Sequence, residues 1–260
     1  MKYTYYPGCS LAGLGKACEE SLLEVLRVLD VATEELPDWN CCGATAYMAV
    51  DESKAFPLAA RNLALAEKRG LELMAPCSAC YLVLSKTQAY MREYPEVGKT
   101  VRNALAAGGL TLQGEVTVRH PLDILVNDVG LEAIKSKARK PLKGLKVAPY
   151  YGCQLVRPYS RFDHQVYPVT MDNLLKAVGA DVVHYPVKTK CCGGSLTGTL
   201  PEVGVRLSYN ILREAKRQGA DLIATVCPLC VFNLDSYQDK MKGEHWAARR
   251  KTESGSSGMN

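Results

Sequence analysis

Two pairs of adjacent cysteines, Cys41–Cys42 and Cys191–Cys192, constrain this chain more than any other feature of its sequence. Adjacent cysteines rarely bond to each other, because the bridge would strain the backbone between them. Each pair is preceded by a single cysteine and followed, after 34 intervening residues, by a C-x-x-C motif. This pattern occurs twice and takes up ten of the 11 cysteines. Its members are Cys9, Cys41, Cys42, Cys77 and Cys80 in the first copy, and Cys153, Cys191, Cys192, Cys227 and Cys230 in the second.

The rest of the sequence favours metal or redox chemistry for these cysteines over structural disulfides. The N-terminus carries no apolar signal region, and no apolar run is long enough to span a membrane. These features predict a cytoplasmic protein without a membrane span, and thiols stay reduced in the cytoplasm. The formal net charge of +5 is small for a chain of 260 residues, so we expect no nucleic-acid partner.

The two cysteine copies lie in two similar halves of an alternating pattern. Short apolar runs alternate with helical periodicity, which is typical of parallel α/β units. The segments "YTYYPGC" and "LKVAPYYGC" predict equivalent strands, and a later strand in each half leads into C-x-x-C. The expected fold is therefore α/β, with two Rossmann-like halves related by an internal repeat. The cysteines are expected in loops at the carboxyl ends of the strands, where such loops gather in one crevice.

The same pattern divides the chain into four segments. Residues 1–95 are predicted to form the first half, and residues 145–240 the second. Residues 96–144 lie between them and predict a helical connector with a basic stretch, "KSKARKPLKG". Residues 241–260 are polar and end in a Gly/Ser-rich run, so we expect a disordered tail.

Three kinds of site compete for the two sets of five thiols. Crowded thiolates repel one another unless a cation neutralises them. A structural zinc site takes four ligands, one fewer than each copy supplies. A thioredoxin-like dithiol needs only C-x-x-C and leaves three cysteines per copy without a role. An iron–sulfur cluster in each copy uses the whole set, although the usual ferredoxin run of cysteines is absent, and the doubled pattern favours this interpretation.

The other candidate residues are expected to be structural. Cys18 lies on an amphipathic helix and is predicted to be a small buried hydrophobe. The histidines at 120, 164, 184 and 245 are expected to be structural or surface residues. His164 is a mild candidate for a proton donor, because it follows Cys153 closely in sequence.

Six motifs carry a resemblance to a known family. The chain resembles the cysteine-rich CCG-domain proteins, and most closely the B-type subunit of the heterodisulfide reductases, over roughly residues 3–238. The segment "GGSLTG" after the second cysteine pair is more similar to bacterial members of that family. The six motifs are "YYPGCSLAG", "LPDWNCCGATA", "APCSACY", "YYGCQLVRP", "KCCGGS" and "CPLCVFNLD".

The resemblance implies two noncubane [4Fe–4S] clusters, one in each half, on either side of a small-molecule disulfide. The disulfide would be reduced to two thiols in one-electron steps, and Cys42 and Cys192 are the candidate catalytic residues. The implied partners are the two other members of such a complex, which are a ferredoxin-like iron–sulfur protein and a larger flavin-containing protein. By position, the implied cluster ligands are Cys9, Cys41, Cys42, Cys77 and Cys80 for one cluster, and Cys153, Cys191, Cys192, Cys227 and Cys230 for the other.

A second function is compatible with the same residues. Related CCG proteins serve as electron-transfer iron–sulfur subunits of lactate or glycolate oxidases and of succinate dehydrogenase-type complexes. In those complexes the domain passes electrons on without cleaving a disulfide. A cleft open between two clusters favours the reductase, whereas a cluster buried where two proteins meet favours the electron-transfer role.

Overall fold

The computed structural model describes residues 1–44, 46–159 and 161–242. It contains two separate sheets, and every strand pair in them is parallel. Helices connect the strands, as parallel pairing requires. The predicted α/β fold with two related halves is therefore confirmed.

The first sheet is built around a buried N-terminal strand. Three consecutive residues of that strand, Tyr3 to Tyr5, are buried, because the sheet is covered by helices. The strand order is β2-β1-β3-β4. The bounds are Lys2–Tyr5 for β1, Ala32–Glu35 for β2, Leu73–Met74 for β3 and Val118–Arg119 for β4.

The second sheet repeats the central part of the first. Its strand order, β6-β5-β7, places the first strand of the half in the middle, as in the first sheet. The longest pairing in it joins Val147–Tyr150 to Leu222–Thr225 in continuous register. The bounds are Lys146–Tyr150 for β5, Asp181–Val182 for β6 and Leu222–Thr225 for β7.

The helices occupy the segments between the strands and after the last one. Helix α4 (Glu52–Glu67) begins after Asp51, whose carboxylate accepts the backbone N–H of Ser53 (3.1 Å) and of Lys54 (3.3 Å) as an N-cap. The first half contains α1 (Gly8–Ala12), α2 (Lys16–Val28), α3 (Ala46–Val50), α4 (Glu52–Glu67) and α5 (Ser78–Glu93). The later helices are α6 (Pro95–Ala107), α7 (Pro121–Asp123), α8 (Leu131–Lys137), α9 (Thr170–Ala177), α10 (Leu196–Thr199), α11 (Pro201–Arg217), α12 (Pro228–Asp235) and α13 (Gln238–Lys242).

The segment predicted as a helical connector, 96–144, also contributes to the first sheet. It contains β4, which pairs with β3 through Leu73↔Val118 and Met74↔Arg119. A six-residue π-helix, Ile124–Val129, follows α7 in the same segment. A strand of two residues has no detectable period in a sequence, which is why the strand was not predicted. The four-segment division itself stays a prediction.

One continuous apolar core runs through both halves. It includes Leu63 and Leu84 of the first half and Val156 and Ile211 of the second, and six of the cysteines are buried in it. The described residues include no helix that combines the length and the apolar character needed to cross a bilayer. From residue 243 onwards, the predicted tail lies outside the described residues, and so does His245.

His120 joins the two halves at the end of β4. Its ring is completely buried, and Nδ1 accepts the backbone N–H of Leu122 at 3.2 Å. The proton therefore sits on Nε2, which lies 3.1 Å from the carbonyl oxygen of Pro76 in the first half and also bonds the Val226 carbonyl in the second. Burial lowers the pKa of His120 to about 4, so the ring is neutral at pH 7.

This burial predicts a stability that depends on pH. The unfolded chain binds a proton at His120 below about pH 6.5, whereas the folded chain resists protonation down to about pH 4, so wild-type stability falls across that window. In His120→Phe this contribution is missing. The gap in the free energy of unfolding between wild type and H120F should therefore narrow by up to about 3 kcal/mol on acidification from pH 6.5 to 4.

The measurement is urea unfolding of both proteins at several pH values. His184→Gln is the control, because His184 is an exposed histidine in the same fold. A gap that is constant from pH 7 to pH 4 would show that His120 binds protons equally well in the folded and unfolded chains.

Candidate metal centre

The first set of thiols, defined as Cys9, Cys41, Cys42, Cys77 and Cys80, is gathered from three places in the first half. Cys9 lies in α1, and its sulfur is 3.7 Å from that of Cys41 in the loop after β2. The Cys42 sulfur is 3.4 Å from that of Cys80, which lies in the first turn of α5. Cys77 is the residue before α5. The five thiols therefore form a chain of contacts, although two of them lie in helices and not in the predicted loops.

The second set, defined as Cys153, Cys191, Cys192, Cys227 and Cys230, repeats this arrangement. The Cys192 sulfur is 3.5 Å from that of Cys230 in α12, and Cys227 precedes that helix. Cys153 lies in the loop after β5, and a hydrogen bond links its thiol to that of Cys191. The same three strand ends thus supply the second set. In both halves the C-x-x-C sulfurs are buried, whereas Cys41 and Cys191 are exposed, so each set is open on one side.

Neighbouring thiols and backbone amides lower the pKa of one sulfur in the first set, Cys41, and of two in the second, Cys191 and Cys227, where Cys227 is lowered by Cys230 and Cys77. Hydrogen bonds from Cys42 and Cys9 lower the pKa of Cys41, and bonds from Cys153 and Cys192 lower that of Cys191. Backbone amides contribute as well, because the N–H of Gly193 donates to the Cys191 sulfur at 3.3 Å and that of Gly43 donates to Cys41. The partner thiols stay protonated, because losing their protons would crowd negative charge together.

The two sets touch where the halves meet. Cys77 of the first set and Cys227 of the second interact, since each shifts the pKa of the other: that of Cys77 is raised and that of Cys227 is lowered. Both residues are more than nine-tenths buried, and each precedes a helix that follows a strand, β3 for Cys77 and β7 for Cys227. Sulfurs that belong to different halves are therefore direct neighbours. The sequence did not predict this contact, because no motif encodes the distance between two halves.

Equivalent tyrosines position the loops that carry the cysteine pairs. The hydroxyl of Tyr6 donates to the carbonyl of Asn40 at 2.8 Å, and that of Tyr150 donates to the carbonyl of Lys190 at 2.6 Å. Each acceptor is the residue immediately before a cysteine pair. Both rings are fully buried. The packing of these buried tyrosines thus includes a hydrogen bond that fixes each loop.

Two cavities adjoin the second set. The smaller, of about 60 Å³, is lined by all five of its thiols, and also by Ser78 of the first half. The Ser78 hydroxyl is buried, and the structure gives it no hydrogen-bond partner. The larger cavity, of about 520 Å³, is lined mainly by aliphatic side chains of both halves and reaches Cys18, His120 and Cys227.

The donor set fits an iron–sulfur cluster better than a single zinc ion. Within residues 1–44, 46–159 and 161–242, no group of three or more His, Cys, Asp or Glu side chains is arranged to hold one metal ion. The thiols meet as a chain of contacts, whereas structural zinc needs a closed tetrahedral set. A buried hydroxyl without a partner and space among five thiols suit a larger group with sulfur acceptors of its own. The ligand roles of the ten cysteines stay a prediction.

Three further residues lie outside the two sets or play supporting roles. His164 is exposed, and its Nδ1 accepts the backbone N–H of Val166 (3.1 Å) and of Tyr167 (3.0 Å), so it orders its own loop. Arg157 donates to the carbonyl of Thr189 and adds positive charge near Cys191. Cys18 is partly buried, with a pKa raised by burial and by the charge of Cys227.

The structure adds two residues that the sequence did not identify. Asn233 is fully buried in α12 and donates to the Cys192 sulfur at 3.3 Å, and Ser78 lines the thiol cavity. Both lie within three residues of a C-x-x-C cysteine. A comparison of the two C-x-x-C segments position by position would have shown that they differ at the positions of Ser78 and Asn233.

Comparison with known proteins gives matches over both halves. The profile of the CCG cysteine-rich domain matches residues 3–85 and 147–235. The 8-methylmenaquinol:fumarate reductase membrane anchor subunit of Wolinella succinogenes is 32% identical over 92% of this chain and 83% of its own length. A protein of Archaeoglobus profundus, named as similar to the B-type subunit of heterodisulfide reductase, is 32% identical over 94% of this chain and 84% of its own length. A third relative is the B-type subunit of a ferredoxin/F(420)H(2)-dependent CoB-CoM heterodisulfide reductase of Methanosarcina acetivorans. It is 30% identical over 91% of this chain and 80% of its own length.

A solved structure shares the fold. The crystal structure of a hypothetical protein from Helicobacter pylori superposes with a TM-score of 0.70 at 14% sequence identity. The match covers 92% of this chain, and this chain spans 44% of that one. At this level of identity the likeness shows the fold alone.

Substitution of Gly8 tests how tightly the first set is packed. Gly8 has φ of +66°, and an added Cβ would lie 2.9 Å from the Cys80 sulfur. Gly70 has nearly the same φ, +67°, with no atom within 4 Å of that position. Both alanine variants carry the left-handed cost of about 1 kcal/mol, and G8A should lose at least about 1 kcal/mol more, measured by urea unfolding. Equal losses in G8A and G70A would mean that the thiols have room to move.

Proposed function

Because the chain belongs to the CCG cysteine-rich domain family, we propose that it is the disulfide-reducing iron–sulfur subunit of a heterodisulfide-reductase-like complex. The resemblance in the motifs is confirmed, since two relatives at 30–32% identity are named as the B-type subunit of that enzyme or as similar to it. The observation that carries the proposal is that the two thiol sets adjoin: Ser78, next to Cys77, lines the cavity formed by the five thiols of the second set, and Cys77 and Cys227 shift each other's pKa. It brings two candidate redox centres together.

Reduction of a disulfide needs two electrons and two protons and gives two thiols. The S–S bond breaks, and each sulfur gains one electron and one proton. Two [4Fe–4S] clusters, noncubane as the resemblance implies, would supply these electrons one at a time when bound. Two adjacent one-electron centres match this stoichiometry, which a single centre does not.

The residues of this chain hold and tune such centres in several ways. The ten cysteines would be the ligands, with Cys42 and Cys192 as the candidate catalytic members. Burial of the C-x-x-C sulfurs excludes water from the inner side of each set, while the exposed Cys41 and Cys191 leave the outer side accessible. Tyr6 and Tyr150 fix the loops, and Arg157 provides positive charge near the second set.

The proposed reaction requires an external source of electrons and two partner proteins. We propose a ferredoxin-like iron–sulfur protein and a flavin-containing protein as the other members of the complex, which the resemblance implies. Several relatives are named as subunits of CoB-CoM heterodisulfide reductases that use ferredoxin as the donor. The disulfide is proposed only as a class of small molecule.

A second candidate function is supported by a different relative. The subunit from Wolinella succinogenes is named as part of a menaquinol:fumarate reductase, and it is as similar to this chain as the Archaeoglobus profundus protein is. In that alternative the chain passes electrons between partner proteins without cleaving a disulfide. The alternative predicts full cluster content and rapid reduction by a donor, with no disulfide turnover.

Serine variants test the assignment directly. After anaerobic reconstitution with iron and sulfide, we expect about eight irons and eight sulfides per chain, the content of two four-iron clusters. With a reduced electron donor, the wild type should cleave small-molecule disulfides. C42S and C192S should abolish turnover with the fold intact, because each removes a ligand. Cys18→Ala is the matched control, because Cys18 lies outside both sets, and it should keep wild-type turnover.

Each alternative result has its own meaning. Zinc without acid-labile sulfide would reject both iron–sulfur functions. Full clusters that take up electrons but cleave no disulfide would reject the reductase in favour of the electron-transfer role. Wild-type turnover in C42S and C192S would show that these two thiols are not part of the reacting centre.

A further inference from the structure

The two thiol sets differ in the hydrogen-bond donors that surround them. Their backbone donors are equivalent, because Gly43 and Ala44 bond the first cysteine pair as Gly193 and Gly194 bond the second. The side chains break this symmetry. The second set faces two buried side-chain donors, whereas the equivalent positions around the first set hold residues that cannot donate.

Asn233 is the first of these donors. Its side chain is fully buried, and Nδ2 lies 3.3 Å from the Cys192 sulfur and 2.9 Å from the carbonyl oxygen of Gly194. A carbonyl accepts only, so the amide must present its NH₂ group to both atoms. Its oxygen is 2.8 Å from the Thr197 hydroxyl, which supports that orientation. The residue at the equivalent position of the first C-x-x-C helix is Val83, which has no donor.

Ser78 is the second donor, and it reaches across from the first half. It is 2% exposed, its hydroxyl has no partner, and it lines the cavity formed by the five thiols of the second set. A buried hydroxyl without a partner is costly unless a further group completes its hydrogen bond. The equivalent residue in the second half is Pro228, which has neither a hydroxyl nor an N–H.

Among residues 1–44, 46–159 and 161–242, the first set also has a side-chain donor, Ser10, which donates a hydrogen bond to Cys9. Cys9 is exposed and Ser10 is half-buried, so water competes for this bond. Hydrogen bonds in a buried site are stronger, because the surrounding dielectric is low. The charge of Arg157 near Cys191 acts in the same direction as the two buried donors.

We infer that Ser78 and Asn233 raise the reduction potential of the cluster in the second set above that of the cluster in the first. Hydrogen bonds to ligand or cluster sulfur stabilise the reduced form, which carries the additional negative charge. With both clusters bound, one electron would pass from the first-set cluster, which would be oxidised, to the second-set cluster, which would be reduced, without a proton. Cys77 and Cys227 are the residues through which the two sets interact. This inference rests on the proposed function, since it needs both clusters.

The test is an anaerobic redox titration of the reconstituted full chain, followed by EPR, with S78A, N233L and the wild type. Wild type should show two midpoint potentials. S78A and N233L should each lower the higher one by about 59 mV, a tenfold shift in the ratio of reduced to oxidised cluster for a one-electron couple. Ser85→Ala is the matched control, because Ser85 lies in the same helix with an equally buried, unpartnered hydroxyl outside the thiol cavity.

A purely structural role for Ser78 would change the free energy of unfolding and not the midpoint potential. Under the present inference, removing a hydroxyl without a partner should leave the free energy of unfolding of the cluster-free chain unchanged or raise it, in S78A as in S85A. If N233L fails to fold, S78A still decides the question. A single wild-type midpoint, or an S78A shift no larger than that of S85A, would overturn the inference. Absence of iron and sulfide would instead reject the proposed function together with it.

Discussion

The structure depends on the burial of thiols against one another in an apolar core. Six cysteines are part of that core, and their sulfurs lie in contact within each half and across the two halves. Thiolates so close together repel, so most of these thiols keep their protons until a cation neutralises the set. Metal binding would therefore release protons and tie the strand ends together. The fold supplies a rigid frame for this, with two parallel sheets and helices that begin at the C-x-x-C motifs.

The internal repeat explains the geometry, and the departures from it suggest the direction of electron flow. Backbone amides, vicinal cysteines and buried tyrosines are the same in both halves. Two sites with identical surroundings would have the same reduction potential, so an electron would have no preferred direction between them. Single residues at equivalent positions, Ser78 against Pro228 and Val83 against Asn233, are enough to make the sites unequal. The arrangement suits a chain that receives electrons one at a time and delivers two.

The sequence determined the elements that periodicity and spacing encode. The helices α2, α4 and α5, the strands β1 and β5 and the two-copy cysteine pattern were all predictable, because each is written in local residue patterns. Family membership followed from the motifs. The strand β4 was missed, because two residues carry no period. The helical position of Cys9 was missed, because a helix as short as α1 after a strand resembles a loop, and that of Cys80 because α5 begins inside the C-x-x-C motif with no capping side chain to mark its start.

Only the tertiary structure decided how the two halves meet. The Cys77–Cys227 contact, the bridge from His120 to both C-x-x-C segments and the position of Ser78 in the cavity of the opposite half join residues far apart in sequence. Local sequence patterns determine which side chains follow the end of each strand, because those residues are close together in the sequence. The distances between strand ends of different halves depend on how the sheets and helices pack, and packing is settled by the whole core. The sequence by itself thus determined two sets of five thiols, and the tertiary structure made them neighbours with unequal surroundings.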